Sequence, residues 1–538
     1  MKGNGLGDLN CQNRRDCQRI QNEELGPNDF SFWIVWQFWQ CWQRSVSSWE
    51  SMKKFIQFIC VLLLPLMAVA HVNSPDVYFD GYAGPYHLLV TLRPPAVVPG
   101  VAQVLVRSVG NDVDQIKVLP LRMIGPGAKN APIADVAKRS ADDPQLFTGS
   151  LWIMVRGSWK VEVQASGQKG AAQLDVPLPA VSTSAQPMQP GLGILLAVLG
   201  LALAAGLIGI IVAAARDAGL PSDQTPTPVQ KKRGTIGLVV AAILVLAAFI
   251  FGNLWWGGEA SANARLNYKV PQMQPSLSGD SLHLQLENPN ESEPTRFRSE
   301  QPDRIRMDDL IPDHGHLMHL FIVRMPDMKA FWHLHPDQLQ TSDFAVNLPI
   351  MPEGQYKLYA DIVHHTGFPE TQVATLNLPA IAGEVMTGDN AGSAELVPAD
   401  KVAQLSGGYR MVWERDEESF KANQPYWFRF RVEDKDGKPA TDLEPYMGMA
   451  GHAVFISTDG NVFAHVHPAG SVSMAAVNLA EGESSNVGMK KMAGMDHSPS
   501  GAEVSFPYGF PKPGGYRIFV QVKRAGKVET AEFTAKAE

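Results

Sequence analysis

DLIPDHGHLMHLFIV, from Asp309 to Val323, and DLEPYMGMAGHAVFI, from Asp442 to Ile456, are one pattern written twice. Asp309, Leu310, Pro312, Gly315 and His319 match Asp442, Leu443, Pro445, Gly448 and His452 without a gap. A second matched block follows each: FWHLHP at Phe331 to Pro336, and FAHVHP at Phe463 to Pro468. A third opens on Gly-x-Tyr, at Gly354-Gln355-Tyr356 and Gly514-Gly515-Tyr516. Short β-branched and aromatic runs bounded by Gly, Pro and Asp read as strands and hairpins. Repetition at this scale marks tandem copies of one unit. Residues 262–382 and 395–538 are therefore expected to be two β-sandwiches of similar topology, the second carrying a Met-rich loop.

Hairpin register then places the histidines. Asp459-Gly460 is a two-residue type I′ turn signal. It pairs Thr458 with Asn461, Val454 with His465 and His452 with His467. Directly opposed residues share a sheet face, as do residues i and i+2. His452, His465 and His467 are thus expected on one face, with neighbouring Cβ atoms roughly 5–7 Å apart. The first copy has one more residue before its His-x-His. A three-residue loop, Pro326-Asp327-Met328, restores the register and sets His319 opposite His335, with His333 beside them.

The types of donor point to a soft cation. Eleven of the fourteen histidines lie between 314 and 497. His314 and His316 align with Met447 and Met449. Copper accepts both imidazole and thioether, whereas zinc, calcium and magnesium rarely take thioether. Met489, Met492, Met495 and His497 add donors in GMKKMAGMDHSPSG, where three-residue spacing among Gly and Ser makes no core stripe. One His-x-His alone reads as two packed histidines; two in matched register, with Met exchanged for His, read as metal ligands. The expected cofactor is copper, Cu(I) or Cu(II), with zinc less favoured. Of His364 and His365 at most one can join the site, because adjacent strand residues face opposite ways. His283 reads as structural.

The chain has 538 residues, with 46 Lys+Arg against 54 Asp+Glu and a formal net charge of −8. Its length suggests two to four domains. A mildly acidic chain without a basic run does not suit nucleic acid. The four cysteines stand at 11, 17, 41 and 60. A disulfide scaffold, a zinc finger and a Cys nucleophile are thereby excluded beyond residue 60.

Residues 52–70, MKKFIQFICVLLLPLMAVA, have the basic, apolar and small-x-small parts of a signal peptide. Residues 1–51 then read as a mis-assigned extension before a start at Met52, the rival being a genuine extension. Cleavage after Ala70 would leave His71 first, where its amino group and imidazole could chelate Cu(II), with His87 and Asp76 or Asp80 near in sequence. Residues 191–215 and 234–258 are each 25 residues long without a charge. Each can span a ~30 Å hydrocarbon core as a helix. The link 216–233 holds Arg216, Lys231, Lys232 and Arg233 against Asp217 and Asp223, which puts it in the cytoplasm. Both strand-rich parts, 71–188 and 259–538, then face outward. In 71–188, six short runs (YHLLVTLRP, AQVLVRSV, QIKVLPLRM, SLWIMVRG, WKVEVQAS and AAQLDVPL) suggest a further β-sandwich. The expected fold is mainly β: three Ig-like or cupredoxin-like β-sandwiches plus a two-helix transmembrane hairpin.

The first outer part, with VTLRPPAVVPG and SLWIMVRGSWKVEV, resembles small bacterial envelope sandwiches of the YtkA-like and FixH-like type. That resemblance implies copper delivery or oxidase assembly. The N-terminal His71 site resembles that of the periplasmic copper-resistance β-sandwich family, and the Met loop resembles the methionine motifs of bacterial copper-resistance proteins, which capture Cu(I). The duplicated HxHP segments are similar to uncharacterised bacterial secreted domains. The expected function is non-enzymatic: a copper-binding protein at the outer face of the bacterial inner membrane, for sequestration or for delivery to an exporter or oxidase. Its expected partners are the metal ion and the lipid bilayer. Two other readings are weighed beside it: a copper, iron or zinc metalloenzyme, for instance a hydrolase using Asp313-His314-Gly315-His316, and a purely structural tandem-sandwich protein.

Overall fold

The computed structural model describes residues 76–124, 131–183, 188–221, 224–265, 267–287, 307–415, 419–482 and 501–538. The expected extension over 1–51, the signal peptide over 52–70, His71, and the loop donors Met489, Met492, Met495 and His497 lie outside the described residues. The described chain is mainly β, with two long apolar helices and one short one.

Strands form over all six runs expected in the first outer part, and Val77–Ala83 adds another. Val77–Ala83, Tyr86–Arg93, Gly100–Ser108 and Leu146–Ile153 lie in one sheet; Val113–Arg122, Gly157–Gly167 and Gly170–Ala180 lie in a second. Gly100–Ser108 and Gly157–Gly167 alternate buried and open side chains. Val104 and Val106 from one sheet therefore meet Ile116, Val161 and Val163 from the other in a common core. The core continues into Met449, Val472, Met474 and Val477, so the first part packs directly on the second repeat.

Helices Pro190–Asp217 and Pro228–Arg265 cover the two apolar runs and extend past them, and both are long and apolar enough to cross a membrane. Pro190 starts the first, where its missing N–H costs no helical bond. The first helix buries none of its residues against protein. An apolar surface on all sides suits hydrocarbon rather than water. The Tyr268 N–H donates to the Ser182 carbonyl at 2.8 Å, so the chain entering the helical pair and the chain leaving it are joined.

In the first repeat His319–Met325 pairs with Phe331–Leu334 on one side and Gly354–Val363 on the other. In the second, His452–Ser457 lies likewise between Phe463–Val466 and Gly514–Arg524. The registers are the expected ones. Leu320 opposes Leu334, which sets His319 across from His335. Val454 opposes His465, which sets His452 across from His467.

The Asp459-Gly460 turn is not the expected type I′. That type needs positive φ at both central residues. Here Gly460 is at φ 68 while Asp459 is not at positive φ, and the closing bond runs from Gly460 N–H to the Ser457 carbonyl at 2.7 Å. The Asp459 carboxylate accepts from Ser457 Oγ and the Asn461 N–H, and Ser457 Oγ accepts from the Val462 N–H. These side-chain bonds supply a wider turn that keeps the register.

Alternation along these strands explains the packing. Leu320, Ile322, Trp332 and Leu334 point into the first repeat's own core. Ala453, Phe455, Ala464 and Val466 do the same in the second. The intervening residues, Phe321, Val323, Phe331, Val454, Ile456 and Phe463, meet in a third core between the repeats. Phe331 stacks on Phe519 and Tyr359 on Phe463, both at 4.4 Å between ring centroids. Phe331 matches Phe463 in the repeat, and Tyr359 matches Phe519, so the two contacts are one contact made twice. Such pairs contribute about 0.5–1.5 kcal/mol each beyond their buried area.

One helix was not expected outside the membrane pair. Met474–Ala480 follows the second HxHP and is capped by Ser473 Oγ, which accepts from the Ala476 N–H at 3.3 Å.

Candidate metal centre

The face that supplies the apolar inter-repeat core also carries the histidines. His319, His333 and His335 continue the row of Phe321 and Phe331; His452, His465 and His467 continue the row of Val454 and Phe463. Docking the two faces therefore brings both sets to one end of the interface. The rings of His333 and His465 lie 5.7 Å apart across it, and those of His319 and His465 lie 5.5 Å apart.

Two matched turns complete the cluster. Asp313 and His316 exchange backbone hydrogen bonds, as do Tyr446 and Met449. His314 and Gly315 are at φ 50 and 89, Met447 and Gly448 at φ 49 and 81. Positive φ at both central residues makes each a type I′ turn. Histidine tolerates this conformation; for methionine it is uncommon. His314 reaches into the other repeat, with ring centroids 5.2 Å from His452 and 4.9 Å from His467. His316 stacks on His335 at 3.9 Å. Eight imidazoles thus form one continuous cluster: His314, His316, His319, His333, His335, His452, His465 and His467.

Within it two groups have donor nitrogens that all lie within 4.8 Å of one another: His319, His333 and His335, and His314, His452 and His467. The first group comes from one repeat. The second takes His314 from one repeat and its other two members from the next. Ligands on a single ion with bonds of ~2.0–2.1 Å sit about 3–4 Å apart, so closing either group needs movements under about an ångström.

Hydrogen bonds fix which nitrogens are free to ligate. His314 Nδ1 lies 3.0 Å from the Met447 carbonyl, and His467 Nδ1 lies 3.1 Å from the Val472 carbonyl. A carbonyl only accepts, so each Nδ1 carries the proton and each Nε2 is a bare lone pair. Both Nε2 atoms are buried without a hydrogen-bond partner among the described residues, as are both ring nitrogens of His452. In the other group His335 Nδ1 donates to Asn390 Oδ1 at 3.1 Å, leaving its Nε2 buried and bare. His319 Nε2 donates to the Asp313 carbonyl at 3.0 Å, and His333 Nδ1 lies 3.0 Å from Gln521 Oε1. His319 Nδ1, left bare by the bond to Asp313, lies 3.0 Å from His333 Nε2, within hydrogen-bond distance. A ligating histidine ordinarily has its second nitrogen held by a carbonyl or carboxylate in this way.

Burial also keeps the rings neutral. It pushes His319 from its ordinary 6.5 down to about 3 and His335 to about 2, with neighbouring imidazoles adding to the effect. His333, His452 and His467 are held well below 6.5 for the same reasons. Neutral imidazole is the form that binds metal.

Sequence reading missed the groups that hold the rings. Asp361 and Gln521 occupy equivalent places: Asp361 pairs with His319 and Gln521 with His452. Each reaches across to the other repeat, Asp361 Oδ2 to His465 Nδ1 at 3.4 Å and Gln521 to His333. A polar residue inside the apolar runs YADIV and IFVQV was the available signal. Tyr446 Oη lies 3.3 Å from His333 Nδ1, and Asp389 lies 3.6 Å from His316.

The remaining expected donors lie elsewhere. Met449 is in the core shared with the first outer part. Met447 is buried and meets the cluster through its carbonyl. His87 pairs with Asp80 at 2.5 Å and stacks on Tyr82, away from the eight-ring cluster. His364 and His365 both bond Asp309, at 2.7 and 2.6 Å.

A search of the curated proteins finds no match. Among solved structures the chain is similar to a tetra-tandem repeat in the extending region of a large adhesion protein, at 8% identity over 82% of this chain and 71% of that one, with a TM-score of 0.15. It is similar also to a 1.5-MDa bacterial ice-binding adhesin, at 5% identity over 82% and 91% of the two chains and a TM-score of 0.14. Latent PorU from Porphyromonas gingivalis gives 8% identity over 82% and 32%, with a TM-score of 0.13. In two stretches, residues 277–379 and 403–538, which fall on the two repeats, the chain matches the family model described as Domain of unknown function (DUF8832).

Proposed function

We propose that the protein binds copper in the eight-histidine cluster between its two repeats, at the outer face of a bacterial inner membrane, and serves copper sequestration or delivery. One observation carries this reading. His314 and His467 each commit Nδ1 to a backbone carbonyl and present a buried, bare Nε2 beside His452. A packing role gives no reason to strip three neighbouring rings of partners, since a buried unpaired polar group costs about 1–3 kcal/mol. All-imidazole, cysteine-free sites suit copper and zinc. The preference for copper rests on the sequence resemblance to copper-handling envelope proteins and on the methionines at 489, 492 and 495, since Met447 meets the cluster only through its carbonyl. A membrane anchor is supported by the two apolar helices and by the Ser182–Tyr268 bond joining their flanks; the basic link then lies in the cytoplasm. The repeats and the first outer part are taken as Ig-like or cupredoxin-like sandwiches.

The test is metal content of the purified full-length chain, with X-ray absorption at the bound metal's edge. The reading predicts copper with nitrogen-rich ligation, and His452→Leu with His335→Leu abolishes uptake. Zinc in place of copper overturns the assignment, and equal copper in the double variant overturns the site. A metalloenzyme is the second reading. It is favoured by a cavity of about 470 Å³ that reaches His319, His465 and His467, and turnover of a candidate substrate by the metal-loaded protein tests it.

A further inference from the structure

His316 carries the histidine cluster to the surface. Its side chain is 32% exposed. His319, His333, His335, His452 and His467 are each 8% exposed or less, and the side chain of His465 is 6% exposed. His314 is half-buried, with its bare nitrogen covered. The His316 ring stacks on His335, whose bare Nε2 is buried. From His335 the rings step inward to His319 and His333, at 4.9 and 4.6 Å between centroids, and from those to His465 at 5.5 and 5.7 Å. His452 and His467 come next, 5.4 and 4.5 Å from His465. An unbroken row of imidazoles thus runs from solvent through the first donor group to the second.

The equivalent end in the other repeat is closed. His316 matches Met449, and Met449 is packed into the core shared with the first outer part, with Val472, Met474 and Val477. The open end also has an acid that the repeat does not supply, because Asp389 lies between the matched stretches 277–379 and 403–538. Its carbonyl takes the Tyr446 hydroxyl at 2.8 Å, and its neighbour Asn390 takes both the backbone N–H and Nδ1–H of His335. This link is therefore pinned to both repeats. Asp389 Oδ2 stands 3.6 Å from His316 Nε2. That is too long for a hydrogen bond, and it suits two ligands on one ion. Lys523 Nζ lies 3.8 Å from the other carboxylate oxygen.

The cavity beside His319, His465 and His467 is the rival way in. Its walls are largely apolar, with Pro95, Pro177, Val270, Phe368 and Phe463 among them, and a cation that gives up water for hydrocarbon does so at high cost. The acids there that stand nearest the rings are engaged: Asp361 by Thr371 and His465, Asp313 by the Ala475 N–H.

We propose that copper enters and leaves the cluster at His316 and Asp389, which form a transient surface site, and that it then passes from ring to ring, so that His319, His333 and His335 fill before His314, His452 and His467. Asp389 draws the cation in and Lys523 tempers the attraction. The proposal rests on the copper reading and adds a route to it.

The experiment uses the metal-free full chain in detergent micelles. Uptake of Cu(II) is followed by stopped-flow quenching of tryptophan fluorescence, and release into excess EDTA by its recovery. The parent is expected to load in a fast and a slow phase, the fast one absent from His335→Ala and kept in His467→Ala. His316→Ala is expected to slow uptake and release alike by about tenfold or more, since a group that passes the ion lowers both barriers. Asp389→Asn is expected to slow uptake by about tenfold at low salt and much less at about 0.5 M salt, and Lys523→Gln to quicken it. Ala96→Trp, which narrows the cavity from an exposed position, is expected to load at the parent's rate. Rates in His316→Ala equal to or above the parent's, or slowing by Ala96→Trp in its place, overturn the port while the copper reading stands. Loss of the fast phase from His467→Ala overturns the order of filling. A parent that takes up no copper overturns the copper reading and the port with it.

Discussion

His452→Leu should stabilise the metal-free protein and remove its response to metal at one site. His452 is fully buried, and neither ring nitrogen has a hydrogen-bond partner among the described residues. A buried unpaired polar group costs about 1–3 kcal/mol, and a neutral imidazole carries one donor and one acceptor. Leucine removes both but leaves a small void, which costs about 1 kcal/mol. The net expectation is a gain of about 1–5 kcal/mol without metal, or about 2–20 °C in Tm for a unit of 150–250 residues. The parent should instead gain about 2.7 kcal/mol when free metal reaches 100 times Kd. The assay is thermal unfolding of the full chain in nanodiscs, parent and variant, with chelator and with copper. The expected traces cross: the variant is the more stable in chelator and the less responsive to copper. A variant less stable than the parent in chelator, with an undiminished response to copper, would show that His452 is a packing residue.

Three further outcomes are expected. His467→Ala and His335→Ala should each remove about one of two bound copper ions, measured by elemental analysis, because they belong to different donor groups; loss of both from either variant would mean a single site. Phe463→Ala should cost about 3–5 kcal/mol in denaturant unfolding, since it removes a ring stacked on Tyr359 from the inter-repeat core, and it should weaken copper binding as well. Stability should also depend on pH at both ends. His364, held by Asp309 and Glu370 against its burial, is raised to about 9. Its contribution is therefore complete below 6.5 and lost as pH rises through 9, and a His364→Gln variant should lack that alkaline loss. His319 and His335 are depressed to about 3 and 2. The unfolded chain takes up their protons first, so metal-free stability should fall as pH drops below 6.5; unfolding in urea from pH 4 to 10 follows both limbs.

Much of the cluster could be read from pattern, because a ladder has a period of two. Once His452 and His467 were paired, His465 had to share their face, and a changed turn at Asp459-Gly460 did not disturb this. The partnership between repeats was harder to read. The hairpin strands are apolar on both faces, HLFIV and HAVFI, and a strand buried on both sides needs a cover on each. What that cover is depends on the shape of a whole docked surface, not on local spacing. His314 follows from the same cause: its turn could be aligned with that of Met447, but its ring crosses to His452 only once the repeats have docked. Asn390 and Tyr446 come to the histidines from loops, where no periodicity points inward.

The reciprocal stacking of Phe331 on Phe519 and Tyr359 on Phe463 has a consequence for how the centre can change. Equivalent surfaces meeting each other form the contact of a two-fold homodimer. In a true homodimer every substitution appears on both sides of the axis and alters both metal sites together. A single chain that carries both halves is free of that constraint. His314 on one side and Met447 on the other are such an asymmetric change: the turn of the first repeat lends a ring to the histidines of the second, while its counterpart offers only a backbone carbonyl in return.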